Sequence, residues 1–263
     1  MISLENFNLS IEFHTITATL DTALCVGAGG SSGSLADKPI LRNTDRNLLI
    51  PASQIKGRLR HECEKIARGL GWAICQSPTP NTMCPQREGL SENEEQKFHR
   101  DDEYKIDDQC DDEYKIDDQC DDEYKIDDQY HCLICQIFGN PSLPSRVLFD
   151  DLICTENPDY LPEVLRPGVT INRRRRTAEE QKLYFLETSP VNAKLQFTGQ
   201  IHFLPNCPDY AKVLIIAGLH HIHALGGSKS AGLGWLTWNL ESTLSEINTE
   251  SSAWEFLAKG VQK

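Results

Sequence analysis

Residues 101–130 are three tandem copies of one ten-residue unit, DDEYKIDDQC, DDEYKIDDQC and DDEYKIDDQY. Each copy holds five acids, one lysine and no apolar face, so it buries too little surface to offset the entropy of ordering. A packed core must therefore be assembled from the sequence on either side. Segment 87–130 reads as a solvated, disordered loop inserted between two parts of one fold.

The copies also explain the charge. They contribute −12 of the net −13; the other 233 residues carry 23 basic and 24 acidic side chains. The acidity belongs to an insert, and a nucleic-acid partner stays open for the nearly neutral body with its basic clusters. At 263 residues, 39% of them hydrophobic, the chain can build a sizeable core. It has no apolar run long enough to span a membrane and no visible signal peptide, so a cytoplasmic protein is expected. In that setting its ten cysteines point to metal rather than disulfides.

The alternation from Ile11 to Leu20, rich in β-branched residues, predicts a half-buried strand that runs into the glycine-serine stretch 27–34. A short apolar run, Leu48 to Pro51, precedes a helix with Ser53 as its N-cap. Ile55, Leu59, Cys63, Ile66 and Ala67 recur at helical spacing to about Gly69. Past an irregular stretch, 75–135, a strand is expected at Arg146–Asp150. Further strands are expected over Ala193–Phe203 and Leu233–Trp238, with a helix between them from Pro208 to about Leu225. The order β-α-insert-β-insert-β-α-β is the split βαβ, ferredoxin-like pattern shared with the RNA-recognition fold, which makes the chain α+β with long insertions.

Four constellations carry candidate chemistry. Cys132-Leu133-Ile134-Cys135 is a C-x₂-C knuckle, and Cys75 and Cys84 form a looser pair upstream. Four thiolates would close a tetrahedral structural zinc site, with His131 and Cys63 as substitute ligands; ordinary buried cysteines are the alternative. Cys110 and Cys120, inside the repeats, are expected to be exposed bystanders. Lys56, Arg58 and Arg60 lie on the first helix turns, where a helix N-terminus and cations at i,i+4 could hold phosphates, or simply form a solvated face. Arg173, Arg174, Arg175 and Arg176 stand between two strand-like arms, consistent with a protruding hairpin or a solvated loop. The loop from Gly226 to Gly234 offers backbone N–H groups and the charge of Lys229 to a phosphate; a flexible connection is the other reading. His220, His221 and His223 lack a third ligand at credible spacing, and Asp37 read alone is a solvated loop acid.

In this order the pieces resemble the repeat-associated mysterious protein (RAMP) superfamily of CRISPR effectors. The stretches that carry the resemblance are Leu35–Ile40, Ile50–Arg60, Cys132–Gly139, Pro144–Val147, Val169–Arg173 with its basic hairpin, and the 226–234 loop. They look most like the backbone subunit of type III complexes, with subtype III-D as one candidate. The resemblance implies a single domain over 1–263 with a modified RNA-recognition fold, a zinc-bearing insertion at 75–135 and a thumb hairpin at 166–190. It implies a CRISPR guide RNA, a target RNA and other effector subunits as partners. Lys56, Arg58, Arg60, Arg173 to Arg176, Gly226, Gly227, Ser228, Lys229 and Gly232 would then contact RNA. Cys75, Cys84, Cys132 and Cys135 would hold structural zinc. The family's cutting acid lies in the loop after the first strand, where Asp37 falls, which implies endoribonuclease cleavage with magnesium or manganese. A guide-binding assembly subunit without nuclease activity, or a stand-alone zinc-stabilised RNA-binding domain, would share many of these features.

Overall fold

The computed structural model describes residues 11–27, 36–84, 131–191, 193–205, 207–240 and 252–258. The expectations for 28–35 and for the acidic repeats, with Cys110 and Cys120, lie outside the described residues. The chain divides into two compact units, one of residues 73–145 and one of residues 1–72 and 146–263.

The larger unit is mixed α+β. Strand β1 (Glu12–Leu20) buries Ile16, Ala18 and Leu20 and leaves the alternate threonines half-exposed, as the period-two pattern requires. It pairs antiparallel with β7 (Gln196–Phe203) on one side and with β8 (Leu236–Leu240) on the other. Phe197, Ile201 and Phe203 continue the buried row across β7. The outer edge of β7 carries β3 (Val147–Phe149) and β4 (Leu152–Cys154), and β2 (Leu49–Ile50) closes that side on β4. The path through the sheet is β2-β4-β7-β1-β8, every pair antiparallel.

The strand expected over 146–150 is β3, one residue shorter at each end, and a further short strand, β4, follows after a break at Asp150-Asp151. The cause lies elsewhere in the chain. Asp151 Oδ1 accepts the backbone N–H of Ala52 at 2.7 Å, at the start of α1 (Ala52–Gly69). The edge strand breaks at the point where this carboxylate is delivered to a helix end. The expected N-cap is corrected at the same place. Ser53 lies inside the helix, and Pro51, in an extended conformation, stands at its cap, its carbonyl accepting from Gln54 and Ile55. Proline has no N–H to satisfy, and Asp151 accepts the first helical N–H, that of Ala52, which has no partner inside the helix.

Helix α1 buries Ile55, Leu59, Cys63 and Ala67, and it packs against α3 (Asp209–His220). The contact is close: a Cβ on Gly218 would sit 2.8 Å from both Cys63 Sγ and Leu59 Cδ1. Helix α3 stops at His220, short of the expected Leu225, because the chain must turn to bring Ala224 beside Trp235. A last helix, α4 (Ser252–Ala258), sets Phe256 between the rings of Trp72 and Tyr210 at 5.2 and 5.3 Å.

A second, two-stranded sheet is formed by β5 (Val164–Asn172) and β6 (Thr177–Thr188), the hairpin expected around the arginine run. The smaller unit contributes helix α2 (Leu133–Phe138) and a 3-10 turn at Pro80–Thr82. No helix among the described residues is long and apolar enough to cross a membrane.

Candidate nucleic-acid interface and metal centre

Asp37 is built into the base of the β5–β6 hairpin. Its Oδ2 accepts the backbone N–H of Phe185 at 2.7 Å, and its own N–H donates to the Phe185 carbonyl at 3.0 Å. Lys38 then forms a parallel bridge with Leu186, so the segment after Ala36 acts as a third strand along β6. The dock is locked by Glu187, which is 5% exposed. Its two carboxylate oxygens accept the Ile40 N–H and an Arg42 guanidinium N–H, each at 3.1 Å. A buried carboxylate with both oxygens engaged holds the strand at a fixed register.

The arginine tip is shaped by its neighbour rather than by its own charge. Asn172 Oδ1 accepts the N–H groups of Arg174 and Arg175, and the Asn172 carbonyl accepts that of Arg176. This local turn holds four exposed guanidinium groups at the end of the hairpin.

The glycine loop is pinned rather than slack. Gly227 donates to the Cys25 carbonyl and Gly234 to the Ala23 carbonyl, while the Ser228 carbonyl accepts from Ala231. Ser228, Lys229 and Gly232 are exposed at its tip. Among the described residues, no ion pair engages Lys229.

The three basic residues on α1 part company. Arg58 and Arg60 are committed to Glu62 and Glu64 at 2.8 and 3.2 Å, one turn along the helix. Lys56 has no counter-ion among the described residues. Burial, then repulsion from Arg60, holds its ammonium below the usual lysine range. A half-buried cation without an anion is the one of the three best suited to a phosphate.

Sequence reasoning passed over Arg166. It stands directly across from Leu186 in the β5–β6 register, and its Nε donates to Thr188 Oγ1 at 3.3 Å. The motif Leu165-Arg166-Pro167 carries no local signal; only the pairing of three strands reveals its place.

In the smaller unit, Cys75, Cys84, Cys132 and Cys135 are all buried, with their Sγ atoms within 4.8 Å of one another. Cys75 lies 3.5 Å from Cys135 and 3.6 Å from Cys132. A tetrahedron with Zn–S bonds of about 2.3 Å has edges of about 3.8 Å, so the four thiols fit a zinc ion. Hydrogen bonds from Cys135, Cys75 and Cys84 hold the Cys132 thiol well below its ordinary range, while Cys84 and Cys135 are pushed up, chiefly by their bonds to Cys132. The Cys132 backbone N–H also points at Cys84 Sγ, 3.4 Å away. The wide spacing between Cys75 and Cys84 is closed by a turn in which Gln76 and Thr82 exchange two hydrogen bonds. The substitute ligands are engaged elsewhere: His131 with Asn140, and Cys63 with the Leu214 carbonyl inside the α1–α3 contact. His220, His221 and His223 are exposed at the end of α3, outside the cluster.

A family model described as the RAMP superfamily matches residues 17–237. The chain belongs to the RAMP superfamily. Membership points to a CRISPR-associated RNA-binding subunit, and the matched span takes in Asp37, the hairpin, the whole glycine loop and the four cysteines. No curated protein matches the chain.

Proposed function

We propose that this RAMP protein is a guide-RNA-binding backbone subunit of a type III CRISPR effector complex and that it cuts target RNA through Asp37. The observation that carries the reading is the joining of Asp37 to the base of an arginine-tipped hairpin, within a chain matched to the family over most of its length. The path β4-β7-β1-β8, with α1 after the first strand and α3 before the last, supports a ferredoxin-like core. Residues 73–145 then form an insertion within a single family domain, and β5–β6 is its thumb. The tip arginines, Lys56 and the 226–234 loop would follow the RNA backbone, with contacts to phosphate that suit any guide sequence. Zinc at Cys75, Cys84, Cys132 and Cys135 would supply folding energy to a unit with little core of its own.

In the proposed cleavage, a target nucleotide splayed at the hairpin base presents its 2′-OH in line with the adjacent phosphorus. Asp37 takes the 2′-OH proton or orients the attacking oxygen. The P–O5′ bond breaks, the departing 5′-oxygen is protonated from solvent, and a 2′,3′-cyclic phosphate remains. One Asp37 oxygen is occupied by Phe185 N–H, which leaves the other for this work. Magnesium or manganese bound there would stabilise charge on the phosphate. No second carboxylate joins Asp37 in a metal-binding group among the described residues, so positioning carries most of the rate.

The bond from Asp37 to Phe185 favours one further reading, a non-cutting assembly subunit in which the carboxylate serves the fold alone. Isolation of the assembled complex tests the proposal against a stand-alone RNA-binding domain. Copurification with a guide RNA of defined length is expected; a complex-free chain carrying no such RNA would contradict it.

A further inference from the structure

Three neighbouring strands meet at the hairpin base: the segment starting at Ala36, then β6, then β5. Lys38 is bridged to Leu186, and Leu186 is paired with Arg166, so the three residues form one row across the strands. Residues in register on adjacent strands share a face, with about 4.8 Å between strands. Lys38 and Arg166 therefore stand on the same face, roughly 10 Å apart at the backbone. Glu187, next in sequence to Leu186, faces the other way.

We propose that Lys38 and Arg166 form a phosphate clamp beside Asp37, gripping the RNA phosphodiester backbone between the hairpin base and the glycine loop. The inference rests on the RNA-binding reading above and adds two residues to it.

Four observations support the clamp. Thr188, 1% exposed, holds Arg166 by its Nε, which aims the guanidinium while leaving its two terminal amino groups. Among the described residues, neither Lys38 nor Arg166 is in an ion pair, in contrast to Arg42, Arg58 and Arg60. Cys25, whose carbonyl anchors Gly227, lies close enough to both to sense them: burial pushes its thiol up, and Lys38 and Arg166 pull it back. The cationic row thus borders the loop that presents the exposed Lys229. A planar guanidinium held at one nitrogen presents two parallel donors, the geometry that matches phosphate oxygens.

The test is a salt titration of RNA binding by the full chain, read as fluorescence anisotropy of a labelled single-stranded RNA. Arg166→Gln, Lys38→Gln and the double variant are compared with the unaltered chain and with Arg46→Gln, which removes a guanidinium paired to Asp159 instead. The clamp predicts about tenfold weaker binding for each single variant at low salt, and a salt slope reduced by about 0.7 per lost phosphate contact. Arg46→Gln should leave both unchanged. Arg166→Lys should keep the slope and recover part of the affinity, a rescue that a purely structural arginine would not give. Lys38 is exposed, so Lys38→Gln decides the matter if Arg166→Gln fails to fold. Normal binding and an unchanged slope in these variants would overturn the clamp and leave the RNA reading standing. No RNA binding by the unaltered chain would overturn both.

Discussion

Asp37 and Phe185, 148 positions apart in sequence, are joined by a 2.7 Å hydrogen bond from the Phe185 backbone N–H to the Asp37 carboxylate. The acid that family resemblance points to is therefore not adrift in a loop. It replaces a backbone acceptor at the start of a third strand on the hairpin, so the position of the carboxylate proposed to cut and the seating of the hairpin depend on one side chain.

This predicts a split between two substitutions. Asp37→Asn keeps an oxygen for the Phe185 N–H and should melt like the unaltered chain. Asp37→Ala deletes the acceptor and should cost about 0.5–1.5 kcal/mol, measured by urea unfolding. Equal stability for all three would mean that the bond contributes nothing to the dock.

Glu187 makes a stronger prediction. Its buried carboxylate joins the Ile40 N–H and Arg42 to β6. Glu187→Ala should cost about 1.5–3 kcal/mol and loosen segment 36–42, seen as faster amide exchange at Ile40. Glu187→Gln keeps the shape and one acceptor, and should fall between. Unchanged exchange at Ile40 in the alanine variant would contradict the role given to Glu187.

The glycine loop separates two residues with similar backbone angles. Gly232 has φ +84° and open space around a would-be Cβ, whereas Gly234 has φ +73° and the Leu225 carbonyl oxygen only 1.8 Å away. Gly232→Ala should cost about 1–2 kcal/mol from the left-handed backbone alone. Gly234→Ala adds overpacking and should cost roughly 2–5 kcal/mol. Thermal melts of the two variants measure the difference, and equal costs would remove the close approach as an explanation.

The four-cysteine cluster predicts about one zinc per chain by elemental analysis. A strong chelator, or Cys135→Ser, should remove the metal and lower the melting temperature, because zinc binding and folding of such a site are one equilibrium. Stoichiometric loss of metal with an unchanged melt would contradict a structural role.

How much of this was legible depended on how local each cause is. The strands β1 and β7 and the buried stripe of α1 announce themselves, since their periods lie within a few neighbouring residues. The break between β3 and β4 does not, because Asp151 is drawn off to Ala52, a partner 99 positions away. The same contact overturns Ser53 as the N-cap. The cysteine cluster was readable from Cys132 and Cys135. Its Cys75–Cys84 half became convincing only with the Gln76–Thr82 closure. The pairing of Arg58 and Arg60 with Glu62 and Glu64 is written in the sequence at i,i+4 spacing, where acids one turn on compete with phosphate for the same cations. Arg166 could not be read at all, since its significance comes from the register of three strands.

Cleavage by Asp37 at the hairpin base is tested most directly by target-RNA cutting in the assembled complex with magnesium, comparing the unaltered chain with Asp37→Asn. The cut assigned to this subunit should disappear while guide RNA binding and the melting temperature are kept. An unchanged cleavage pattern would contradict it and leave the chain as a subunit that shapes RNA for its neighbours.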